Sequence, residues 1–98
     1  MEQTFTARKM KNRGAVWLKE KIFSEFGVFQ IWEFPKRAAG GWKTFNLQIK
    51  HPSKNRKIKR SWWFGWNGER LSKNKDMGLL NNHKPKVYQW VEEVLHDC

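Results

Sequence analysis

The chain holds a single cysteine, Cys98, at its last position, which excludes an internal disulfide framework and fits a reducing compartment. Its three histidines, His51, His83 and His96, lack metal-ligand spacing, so neither a metal nor another cofactor is expected. No apolar run approaches the ~18 residues of a membrane span, and Met1–Phe5 carries no apolar leader core; a cytoplasmic protein that avoids membranes is the expectation. Paired carboxylates, a Ser/His/Asp grouping, a Cys/His pair and a Walker-type loop are all missing. A non-enzymatic role follows. The one catalytic alternative is a small basic ribonuclease in which His51 or His83, among cations, serves as general acid or base. Acidic residues are scarce too: nine Asp and Glu stand against twenty Lys and Arg.

What is present is positive charge and aromatic bulk. A net charge of +11 over 98 residues makes attraction to polyanions a physical expectation, since Lys and Arg that neutralise phosphates release condensed counterions. Seven Trp and seven Phe against one Tyr supply a ring-built core or a stacking surface, and composition does not separate the two. The length suits one domain, residues 12–98, preceded by a basic flexible arm over 1–11 that carries Arg8, Lys9 and Lys11.

The clearest pattern runs from Trp42 to Trp66 and reads as a β-hairpin around Pro52-Ser53-Lys54-Asn55. With His51 opposite Arg56, one face pairs Ile49 with Ile58, Leu47 with Arg60, Phe45 with Trp62 and Lys43 with Phe64. The other pairs Lys50 with Lys57, Gln48 with Lys59, Asn46 with Ser61 and Thr44 with Trp63. A one-residue slip would send every apolar side chain to the wrong face. Val28–Phe34 adds another strand, with Ile31 opposite Phe45, Phe29 opposite Leu47 and Glu33 against Lys43, so that Gln30, Trp32, Phe34 and Trp42 join the second face. Arg60 falls on the core side and must snorkel or find a carboxylate.

On either side the reading is helical. Ala15, Leu18, Ile22 and Phe26 recur at three- and four-residue intervals between an Asn12 cap and a Gly27 stop. Asn67-Gly68 signals a turn, with Glu69–Leu71 as an optional fourth strand, Ser72–Lys75 as a loop and Asp76 capping one helical turn. Pro85 opens a last helix with Val87, Trp90, Val91 and Val94 inward. The predicted fold is α+β: a three-stranded, optionally four-stranded, antiparallel sheet with an N-terminal and a C-terminal helix on one face, in the order α-β-β-β-α.

Lys54-Asn55-Arg56-Lys57-Ile58-Lys59-Arg60 has five basic residues in seven. Lys54, Arg56, Lys57 and Lys59, with Lys50 on the same sheet face and Lys36 and Arg37 in the preceding loop, are the candidate phosphate contacts. Trp32, Trp42 and Trp63 are the candidate base-stacking rings, because rings beside lysines on an open sheet suit nucleic-acid strands. DNA and RNA are equally compatible. The same face is alternatively the interface of an adaptor or inhibitor for an acidic protein, or is closed by the arm, an extra strand or a homodimer partner.

The order of elements over residues 12–96 is similar to that of double-stranded-RNA-binding domains and of small HicA-type toxins. In the former the last helix opens with a basic, glycine-containing motif, and here Asn81-Asn82-His83-Lys84-Pro85-Lys86 has two lysines and no glycine. The sheet also resembles the β-platforms of single-strand-binding transcription coactivators. These likenesses imply contact with nucleic acid and specify no residue for it.

Overall fold

A computed structural model describes residues 11, 14–37, 42–50 and 58–97, with side chains excepted at 35–37. Strands β1 (Val16–Phe23), β2 (Gly27–Arg37), β3 (Lys43–Lys50) and β4 (Ile58–Trp66) are followed by helices α1 (Lys75–His83) and α2 (Pro85–His96). The sheet is fully antiparallel in the order β1-β2-β3-β4. The order is therefore β-β-β-β-α-α, and the predicted α-β-β-β-α arrangement is corrected twice: its first element is a strand, and a full helix, α1, precedes the last helix where a single turn was expected. The topological likeness to double-stranded-RNA-binding domains and HicA-type toxins lapses with it.

Where a helix was predicted over residues 12–27 the structure has strand β1, and a bulge concealed it in the sequence. The β1–β2 register shifts between Trp17 and Lys19, leaving Leu18 as the extra residue and breaking the period-2 alternation that would have marked a strand. Leu18, Phe23 and Phe26 pack against the core, whereas Ile22, expected inside, is 71% exposed. Gly27 misled for a physical reason. Its φ of +119° closes a hairpin through Ser24-Glu25-Phe26, and positive φ equally marks the glycine that ends a helix.

Both other registers are offset by two residues from expectation. Phe29 faces Ile49 and Ile31 faces Leu47, so Glu33 lies across from Phe45 and not Lys43. Leu47 faces Trp62, Phe45 faces Phe64, and Ile49 faces Arg60. A two-residue slip preserves side-chain parity, so residues keep their predicted faces while their partners change, except at a bulge at Lys59, beyond which Ile58 pairs with Lys50 and not with Ile49.

The helices cover one face only. Phe29, Ile31, Phe45, Leu47, Ile49, Trp62, Phe64 and Trp66 meet Met77 and Leu80 of α1 and Val87, Trp90, Val91, Val94 and Leu95 of α2 in one cluster. Phe29 packs edge-on to Phe23 and stacks on Trp62, and Phe23 in turn packs edge-on to Trp90. Arg60 snorkels: its guanidinium lies 4.9 Å over the Trp62 ring. The predicted Asp76 cap is replaced by Asn74, whose side chain accepts from Met77 N–H at 2.8 Å and starts the helix two residues earlier. Asn67 Oδ1 accepts from the N–H groups of Glu69 and Arg70, and the turn ends in a single Trp66–Leu71 bridge where a short fourth strand was an option.

Candidate nucleic-acid interface

The sheet face opposite the helices carries the predicted stacking residues, and the fold separates them by strand position. Trp32 lies on β2, which β1 converts from an edge strand into an inner one. Trp17 sits across from it, Ala15 and Phe34 pack around it, and it is 1% exposed. Its indole N–H donates to Gln30 Oε1 at 3.1 Å, and Gln30 Nε2 donates to Glu20 Oε1 at 2.6 Å on β1. Trp32 is thus a core residue with its polar atom satisfied, and its assignment to base stacking is withdrawn. Asn46, Gln48 and Lys50 are also buried, and Lys50, only 3% exposed, drops out of the lysine track expected along this face.

Trp63 and Trp42 have a different environment. Trp63, on the edge strand β4, is 48% exposed, with the Phe34 ring 4.9 Å away at a 50° tilt. Trp42, just before β3, is half-buried. Between them is Gly65, where a Cβ would come within 3.3 Å of Trp42 Cε3; the missing side chain lets the indole lie against the sheet. Trp42, Thr44, Trp63, Gly65, Ser72 and Asn74 line a shallow cleft of about 400 Å³.

The cleft is held from the side by the segment that returns along β4. Ser72 Oγ accepts from Gly65 N–H at 2.8 Å, and Ser72 N–H donates to Gly65 O at 2.9 Å. Asn74 Nδ2 donates to Trp63 O at 3.1 Å while its Oδ1 caps α1. These bonds satisfy the outer edge of β4 at Trp63 and Gly65, which would otherwise present free strand groups there, and they fix the backbone beneath Trp63. Ser72 and Asn74 escaped the sequence reading, where they formed part of a polar loop. A Ser and an Asn just ahead of an apolar helix are the available signal, as capping residues.

Among the predicted phosphate contacts, Lys59 is exposed on β4. Lys73, also exposed, stands between the cleft residues Ser72 and Asn74 in the chain, whereas the exposed Lys43 belongs to the sheet face of Phe45. Lys54, Arg56 and Lys57, the hairpin loop itself, His51, Cys98, Asn12 and the arm before Lys11 lie outside the described residues, as do the side chains of Lys36 and Arg37. Among the described residues, no group of three His, Cys, Asp or Glu side chains is placed to hold a metal ion. No described helix is long and apolar enough to cross a membrane. No protein-family model matches the chain, and comparison with curated proteins and with solved structures finds no similar protein.

Proposed function

We propose that the protein binds single-stranded segments of nucleic acid without catalysing their chemistry, stacking bases on Trp63 and Trp42 and contacting phosphates through Lys59 and Lys73. The observation that carries this reading is the half-exposed Trp63 ring, fixed beside a glycine-floored aromatic cleft in a chain of net charge +11. Every base offers a π-face to such a ring, and surrounding lysines attract the backbone without reading sequence. The basic run 54–60 adds to the same charge.

A protein partner is the second reading, and β1 favours it. Val16, Trp17 and Ile22 on this edge strand are 54%, 47% and 71% exposed. Fluorescence anisotropy with a labelled single-stranded oligonucleotide, its duplex and labelled polyglutamate separates the readings. Micromolar or tighter binding to the single strand with a steep salt slope supports the first. Equal binding to polyglutamate, or no oligonucleotide binding at low salt, refutes it.

A further inference from the structure

A second opening lies on the helix-covered side, where β4 begins and α1 hands over to α2. Arg60, Trp62, Leu79, Leu80, His83 and Lys84 line a pocket of about 140 Å³. Three of these side chains are basic and none is acidic. The volume admits one compact oxyanion.

The cations are held in an unusual way. Arg60 rests on the Trp62 ring, and the Lys84 ammonium lies 5.3 Å from the centre of the Phe26 ring. Among the described residues, no carboxylate forms an ion pair with Arg60, His83 or Lys84; the ion pair seen nearby joins Lys86 to Glu25. A ring face positions a guanidinium without neutralising it and leaves the in-plane N–H donors free for an anion. Trp62, Leu79 and Leu80 supply apolar walls, which lower the local dielectric and strengthen attraction to a bound charge.

We propose that this pocket binds the dianionic phosphate of a phosphomonoester, with Arg60 as the planar donor and Lys84 and His83 as the flanking groups. The phosphate belongs either to the end of a nucleic-acid strand or to a small phosphorylated molecule, and both present the same chemistry. The pocket shares no lining residue with the aromatic cleft and stands independently of it.

The test is an NMR titration of ¹⁵N-labelled protein with inorganic phosphate, using wild type, Arg60→Gln, Lys84→Gln and, as a control on β1, Lys19→Gln. Saturable shifts confined to the surroundings of Arg60, His83 and Lys84 are expected, with affinity about tenfold weaker in either pocket variant and unchanged in the control. A well-dispersed spectrum of Arg60→Gln verifies its fold. Shifts that fail to saturate, spread over the surface lysines, or persist at full affinity in Arg60→Gln overturn the proposal. A second arm compares 5′-phosphorylated with 5′-hydroxyl oligonucleotides. Tighter binding of the phosphorylated strand, lost in Arg60→Gln, assigns the phosphate to strand ends; equal binding beside an intact phosphate titration assigns it to a small molecule. Trp63→Ala leaves the phosphate titration unchanged, so failure of the cleft reading and failure of this one are distinguishable.

Discussion

Replacing Trp63 by Ala removes a ring that the fold needs little and the proposed function needs greatly. The ring is 48% exposed and its observed ring partner is Phe34. Losing an aromatic pair costs about 0.5–1.5 kcal/mol and uncovering the buried half of the ring about 1–1.5 kcal/mol more, less than the ~5–15 kcal/mol that holds a domain of this size together, so the variant stays folded at 25 °C. Base stacking on an aromatic side chain is worth about 1–3 kcal/mol; the middle of that range, about 2 kcal/mol, weakens single-strand affinity roughly 30-fold. Charge gives an internal control. Trp63 is neutral, so a plot of log affinity against log salt is displaced in parallel. Lys59→Ala removes one phosphate contact and flattens the slope by about 0.7 for a single strand. Anisotropy of a fluorescein-labelled oligonucleotide at three salt concentrations reads both quantities. Affinity of Trp63→Ala within twofold of wild type, or a slope that changes with it, would refute stacking at this cleft.

Other expectations concern the framework. Phe29→Ala, at a fully buried position between the Phe23 and Trp62 rings, lowers stability by about 3–5 kcal/mol, seen as a shifted urea midpoint with little change in the slope m. Asn74→Ala removes both the α1 cap and the bond to Trp63 O, at a cost of about 1–3 kcal/mol, whereas Asn74→Asp keeps the cap and loses only the second; chemical denaturation orders wild type, Asp and Ala accordingly. Burial, and then the charge of Glu92, raises the Tyr88 phenol above its usual 10.0. Folding therefore favours the protonated phenol, and this contribution is present below pH 10 and lost as pH rises through the folded value. Between pH 9 and 11 wild type loses more stability than Tyr88→Phe; equal losses would remove Tyr88 as the cause.

Legibility differed from element to element. α2 was readable because Pro85 and the spacing of Val87, Trp90, Val91 and Val94 act within a few turns of one helix. The two faces of β3 and β4 were readable because parity is a property of each strand alone, and it survived a two-residue error in both registers. β1 was not readable. Its bulge at Leu18 removed the alternation, and its closing glycine has the same backbone preference in a helix stop and in a hairpin. That one error carried into the site. With a helix in place of β1, β2 is an edge strand and Trp32 an accessible ring; with β1 paired to it, Trp32 is interior.

The sequence by itself determined the excess of positive charge, the wealth of rings, the assignment of residues 42–50 and 58–66 to two faces and the final helix, because each depends on composition or on a period shorter than one element. Tertiary structure alone decided which strands are inner and which are edges. Trp32 became core and Trp63 stayed half-exposed through long-range pairing, Gly65 was matched to Trp42 across two strands, and Arg60 was brought beside His83 and Lys84. Two tryptophans on the same sheet face have the same local signature, and only the number of neighbouring strands distinguishes a buried ring from one open to a ligand.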